Sequence, residues 1–351
     1  MMPEEWPIAA SAGERSASAC TAGSERLATV RVDFFLDPAQ RLTEQERALM
    51  TAMLNCLIGD IADELTALLP TALVPANDVA FGERVETLRN CGLLDEPGLI
   101  ALLLRRADEE RIATAAAARS GRREARTVQG FVSHENGAVS AAAMALILAR
   151  GRRRDRFGQC VASLQDLPPA SASSLVHAVA ATLRSEIIAA HGAATTDSTL
   201  CEAARQVIAG LDPARALDTL TANLVRLLDE AGALGDDLLG AAVQEGDAGL
   251  IAHVIARRAG LDVVTAFDEL TSGVPGRFVA VLRMARVSRP AAAALLAGVG
   301  DLLGIDDAPS ALRLFDGITD GELEAARNWL AAPAEYRASA SKVAKRGKRA
   351  L

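Results

Sequence analysis

From Leu49 onward apolar residues return at every third or fourth position: Leu49, Met53, Leu57, Ile61, Leu65 and Leu68. That spacing lays one apolar stripe along a helix of about seven turns. Thr43 and Glu46 stand just before it as a T-x-x-E capping box, which satisfies two of the unpaired N–H groups at the helix start. Pro70 and Pro75 stop it. Upstream, Val30-Arg31-Val32-Asp33-Phe34 alternates like a strand. It is short and solitary, and reads equally as an extended or helical segment docked on the first helix.

Beyond Pro75 the periodic units shorten. Asp95 is placed to cap a helix with Pro97 in its first turn, carrying Leu99, Ile100, Leu103 and Leu104. Asp108 is placed to cap the next, running through Ile112 to Arg119 and ended by Gly121. Further helices are expected from about Ala138 to Ala149 and from Ser173 to Ala190. Asp212-Pro213 is an N-cap and first-turn pair launching Leu217, Leu220, Leu224 and Leu227. In the last third Asp247, Asp262 and Ser288 take the capping position, and Thr319 with Glu322 forms a second capping box. Gly or Pro separates nearly all of these units.

Short amphipathic helices cannot bury a face alone, whereas stacked antiparallel pairs can. The expected fold class is therefore all-α: stacked short helix pairs forming a HEAT-like α-solenoid of irregular period, with a globular helical bundle as the alternative in the C-terminal part. The expected organisation is a disordered segment over 1–26, a helical repeat domain over 27–230, a C-terminal helical domain over 231–338 and a basic disordered tail over 339–351. Composition agrees. Ala and Leu dominate the apolar half of the chain and aromatics make up only 3% of it, a mix that suits helices better than strands.

Cys20, Cys56, Cys91, Cys160 and Cys201 form no C-x-x-C pair, and their number is odd, so reduced thiols in a cytoplasmic protein are expected rather than a disulfide framework. Glu4 and Glu5 stand where a signal peptide would carry positive charge, and the longest apolar run, Ala141 to Ala149, is too short to span a membrane. No oligomeric state follows from the pattern.

The net charge of −8 is unevenly placed, because twelve Arg face six acids between Arg105 and Arg156 and six cations close the chain from Arg337. Two clusters stand out: Arg119, Arg122, Arg123 and Arg126, then Arg150, Arg152, Arg153, Arg154 and Arg156. Guanidinium groups bind carboxylate and phosphate bidentately, so a face carrying both clusters would take an acidic partner or nucleic acid. The plainer reading is solvated helix ends paired with Asp and Glu. An acidic body and a scarcity of aromatics to stack on bases disfavour nucleic acid.

No catalytic or metal-binding constellation emerges, and nothing points to a cofactor. His134, His177, His191 and His253 lack zinc-ligand spacing. His177 and His253 read as core or groove histidines, and His191 as a helix-end residue. Ser133, His134 and Glu135 are consecutive, so their side chains diverge rather than form a triad. Gly298, Gly300 and Gly304 follow a helical run instead of a strand, which marks a loosened or tightly packed helix rather than a nucleotide loop.

Four blocks resemble a bacterial family described only as a domain of unknown function. They are RLTEQERALMTAMLNCLIGDIADELTALL at 41–69, CGLLDEPGLIALLLRRADEERIATAA at 91–116, LVHAVAATLR at 175–184 and LIAHVIARRAGLD at 250–262. The resemblance extends over most of 27–338. It implies a helical, HEAT-like fold in a cytoplasmic bacterial protein and carries over no catalytic residues. The leading functional expectation is a non-enzymatic protein-binding scaffold or regulator. The alternatives are a nucleic-acid-binding protein using the two Arg clusters, and an enzyme whose site is assembled from scattered Asp, Glu and His.

Overall fold

A computed structural model describes residues 43–73, 81–121, 126–191, 193–337, 339–340 and 343. The expectations for 1–26, for the alternating segment at 30–34, for Arg122 and Arg123, and for nearly all of the basic tail lie outside these residues. Among the described residues every regular element is helical, and ladder pairing amounts to one isolated antiparallel bridge between Arg154 and Cys160. The chain is all-α.

Its contacts divide it into two compact units, one drawing on residues up to 110 and on 145–220, the other on 111–144 and on the chain from 221. The first unit contains α1 (Glu44–Ala67), α2 (Phe81–Asn90), the opening half of α3 (Pro97–Ser120), the end of α5 (Gly137–Arg152), α6 (Pro169–His191) and α7 (Ala193–Ala209). The expected capping box opens α1: Glu46 N–H donates to Thr43 Oγ1 at 3.2 Å while Thr43 N–H reaches Glu46 Oε2 at 3.3 Å. The buried face of α1 is broader than one stripe. Met50, Leu54 and Ile58 are buried beside Met53, Leu57, Ile61 and Leu65, whereas Leu49 is half-buried and Leu68 exposed. The cause is packing against α2, α6 and α7 at once, which needs apolar positions on adjoining rows. Helices α6 and α7 lie side by side, and Arg184 meets Asp197 across the pair at 2.5 Å, so the chain doubles back between them.

Two expected boundaries shift. Asp108 does not start a helix: α3 is one continuous helix, and Asp108 lies buried in its middle. The apolar spacing through Leu99, Leu103, Ala107, Ile112 and Ala116 runs on without a breaker until Gly121, whose φ of +65° ends it. Glu96 caps the start of α3, its Oε2 accepting from Leu99 N–H at 2.7 Å. Asp212 caps a single 3₁₀ turn, Pro213–Arg215, before the helix carrying Leu224 begins at Leu217.

The second unit holds the rest of α3, α4 (Thr127–Gly130), most of α5, and α8 (Leu217–Glu230) through α9 (Asp236–Glu245), α10 (Ala248–Ala259), α11 (Val263–Leu270), α12 (Pro275–Met284), α13 (Arg289–Leu295), α14 (Ala308–Gly317) and α15 (Asp320–Ala331). Asp247, Asp262, Ser288 and Thr319 each accept a backbone N–H three residues on, as their residue types dictate. After α13 the chain loosens into one π-helical turn, Leu296–Gly300. Gly298 sits in that turn because a Cβ there would come within 2.4 Å of Val243 Cγ1, so the helix is both loosened and tightly packed, as the glycines suggest. Inside this unit Glu269 and Arg277 form a bidentate ion pair with both side chains essentially sealed from water. Arg337, counted by sequence with the terminal cations, is buried with Nη2 donating to Thr265 Oγ1 at 2.9 Å.

Candidate functional site

The two arginine clusters fall in different units and do different things within them. In the second unit Arg119 donates to Gly298 O at 2.8 Å and to Asp301 Oδ2 at 2.7 Å, tying α3 to one carbonyl of the π-helical turn and to the carboxylate that follows it. The backbone N–H of Arg126 donates to Glu245 Oε1 at 2.6 Å, where that carboxylate also takes Thr127 N–H and so caps α4. In the first unit Arg150 is half-buried near the end of α5, whereas Arg153 turns inward. Its guanidinium grips Asp166 at 2.7 and 3.1 Å and reaches Arg215 O at 3.3 Å. Arg154 pairs bidentately with Glu110 at 2.6 and 2.8 Å. Arg152 and Arg156 are exposed, and among the described residues neither forms an ion pair.

The same unit holds a partly buried network of charges around Arg106. Arg106 is 3% exposed and donates to Glu109 at 2.5 Å and to Asp218 at 3.3 Å, while Arg105 donates to the same two carboxylates at 3.2 and 2.9 Å. Burial works against the charge on Arg106, but Glu109, Asp218 and Asp166 outweigh it and hold the guanidinium protonated above its ordinary range. Burial would likewise lift the Glu109 carboxyl, and Arg106 and Arg105 together bring it below its ordinary value instead. Asp166 joins the two arrangements, accepting from Arg153 and from Leu217 N–H at 2.8 Å. The Leu-Arg-Arg-Ala-Asp-Glu run at 104–109 is therefore interior machinery that holds α3 to the chain around 166 and 218.

On this base stands a short, internally braced loop at 154–160. Arg154 and Cys160 pair across it. Asp155 Oδ1 accepts from Phe157 N–H and Gln159 N–H, both at 2.8 Å, and Asp155 N–H donates to Gln159 O at 3.0 Å. Gly158 makes the turn with φ at +78°. Arg154 fastens the loop from outside, with Nη1 on Gly158 O at 3.0 Å and the fork on Glu110. Its tip carries Phe157, 72% exposed, with the Arg156 guanidinium 4.7 Å from the ring centroid. Cys160 closes the loop, and burial pushes its thiol up to about 11.

Beside the loop is an open hollow of about 170 Å³. The chain leaves its wall at Arg152 and re-enters it at Val161, so the loop stands on its edge. Its lining sets exposed Asp60, Glu64 and Arg152 around Leu57, Ile61 and Val207, whose side chains are themselves buried. Partial burial, and then Asp63, raise the Asp60 carboxyl above its ordinary value. Burial first, and then the charges of Asp60 and Asp155, raise the Cys56 thiol above its ordinary value.

The histidines contribute elsewhere or not at all. His253 is buried as expected, its Nδ1 2.8 Å from Gly249 O, whereas His177 is exposed because its place on α6 turns away from the packed row Leu175, Val176 and Val179. The side chain of His191 lies outside the described set. His134 Nδ1 accepts from Asn136 N–H at 3.1 Å, with Ser133 and Glu135 exposed on either side. Among the described residues no three His, Cys, Asp or Glu side chains gather where they would hold a metal ion. The sequence singles out Arg152 and Arg156 as contact candidates, places Phe157 near them without a contact role, and gives no sign of Asp60 and Glu64. The available signal was an aromatic in an aromatic-poor chain, followed at once by Gly158 and so bound to sit in a turn.

No curated protein and no solved structure matches the chain at a significant level. A family model does, over residues 86–327, so that three of the four blocks carrying the resemblance fall inside the match and 41–69 precedes it. That match spans well over half of the chain, including the buried Arg-Arg-Ala-Asp-Glu run, the 154–160 loop and the capped helices of the second unit, and the protein accordingly belongs to the family of uncharacterised proteins conserved in bacteria, DUF2336.

Proposed function

We propose that the protein works by protein recognition, as a non-enzymatic scaffold or regulator in the cytoplasm, and that its recognition face is the 154–160 loop with the adjoining hollow. The observation that carries this reading is Phe157. A large apolar ring held 72% exposed on a loop with its own hydrogen-bond bracing is a preorganised contact: its burial in a partner gains apolar area without the cost of ordering the loop. Arg156 and Arg152 add charge at the same edge, which favours a partner with carboxylates near its own apolar pocket. Nucleic acid is the weaker reading, since among the described members of the two clusters Arg119, Arg153 and Arg154 already hold carboxylates of this chain, and phosphate binding relies on guanidiniums free to meet the backbone.

For the helices we retain degenerate HEAT-like pairs, a reading supported by neighbours that pack together, α6 with α7 and α10 with α11. The cytoplasmic placement is supported by free thiols at Cys56, Cys91, Cys160 and Cys201, and by the finding that no described helix is long and apolar enough to cross a membrane. The test is affinity capture from native lysate with the full chain and with Phe157→Ser. The reading expects a stoichiometric protein retained by the parent chain and lost from the variant. Equal capture by both, or none by either under several growth conditions, overturns it.

A further inference from the structure

We propose that the face formed by the 154–160 loop and its hollow is self-complementary, and that the partner it fits is a second copy of this chain, related by a two-fold axis. The proposal rests on the recognition reading above and adds the occupant. The hollow offers what the loop tip lacks, exposed carboxylates from Asp60 and Glu64 above the buried side chains of Leu57, Ile61 and Val207. The loop offers what the hollow lacks, an exposed ring at Phe157 with the Arg156 guanidinium against it. Seated in a second copy, Phe157 covers the mouth of the hollow while Arg156 meets Asp60 and Glu64 in a charge-assisted contact beside the ring.

Adjacency makes the exchange reciprocal. Arg152 and Val161 are wall residues of the hollow and also the two ends of the loop, so both halves of the contact share one edge of the fold. Two such edges brought together about a two-fold axis each give a loop and each receive one, which is the isologous arrangement that closes at two. Charge favours it as well. Chains of net charge −8 repel, and an interface that sets Arg156 and Arg152 against acidic groups offsets that repulsion where the surfaces meet. The bracing by Asp155 and Arg154 leaves the loop already in the form it would present.

The experiment is sedimentation equilibrium on the purified full chain, from about 1 to 100 μM, with three variants on exposed positions that leave the core intact. The parent chain is expected to be a dimer. Phe157→Ser and Glu64→Lys are each expected to weaken it at least about tenfold. Arg156→Glu combined with Glu64→Lys is expected to recover part of the loss, because the reversed charges at 156 and 64 meet again across the axis while Asp60 still opposes. A parent chain that stays monomeric at the top of the range overturns the proposal. So does a dimer indifferent to Phe157→Ser, a double reversal that recovers nothing, or an open-ended polymer. A monomer in this experiment leaves the lysate capture free to succeed through another protein, so the two readings fail separately.

Discussion

Glu269 and Arg277 are both sealed from water, and a charge so placed is tolerated only while its partner remains. Glu269→Ala removes the buried counter-charge of Arg277 and is expected to cost about 3–5 kcal/mol in urea denaturation, whereas replacing the pair by Leu and Met costs far less or stabilises. Glu109 adds a pH dependence with a definite sign. Its folded-state value is depressed below the ordinary glutamate value of about 4.3, so its contribution is present above that pH and fades as pH falls through the folded value. The stability gap between the parent chain and Glu109→Gln is therefore expected to narrow as pH is lowered from about 6 to 3. Cys160 gives a chemical readout: with its thiol pushed up to about 11, it should alkylate at pH 8 far more slowly than the exposed Cys91 and Cys201, followed by peptide mass spectrometry. None of these charges was legible as buried. An arginine at position 106 with Glu109 three residues on looks in sequence like any i,i+3 pair on a solvated helix, since the second carboxylate it meets, Asp218, is more than a hundred residues away.

Among the helices, what was legible was local. Thr43 with Glu46 and Thr319 with Glu322 are capping boxes in the folded chain because every atom of the motif lies within four residues. Thr319→Ala is expected to cost about 1 kcal/mol, read as a shift in denaturation midpoint. Asp108 misled for the same reason. Asp before an apolar run is a capping signal locally, and only the unbroken 3.6-residue spacing on both sides shows a helix passing straight through it. Close approaches between helices were not legible, since a glycine reveals its partner only in space. Gly246 ends α9 at φ +65°, where an added Cβ would lie 2.5 Å from Ala116 Cβ and 2.8 Å from Ile112 O. Gly246→Ala should lower stability by more than about 1 kcal/mol, through backbone strain and collision together. At Gly298 collision acts alone, so Gly298→Ala should cost about 1–3 kcal/mol and Val243→Ala in the same chain should relieve part of it.

For the whole chain, composition pointed to helices and away from a membrane span, and the family match bears out the bacterial resemblance without naming an activity. The candidate face was half legible. Arg152 and Arg156 stood out as charges, but Asp60 and Glu64 lie about ninety residues earlier and meet the 161–165 segment only after folding. The central claim is that Phe157 is a contact residue for another protein. The most direct measurement replaces it in cells with a photocrosslinking phenylalanine analogue, and does the same at exposed Leu93 as a control. The account predicts one discrete crosslinked protein species at position 157, lost when Glu64→Lys is added if the partner is a second copy, and absent at position 93. Position 157 giving no adduct, or the same diffuse adducts as position 93, would contradict it.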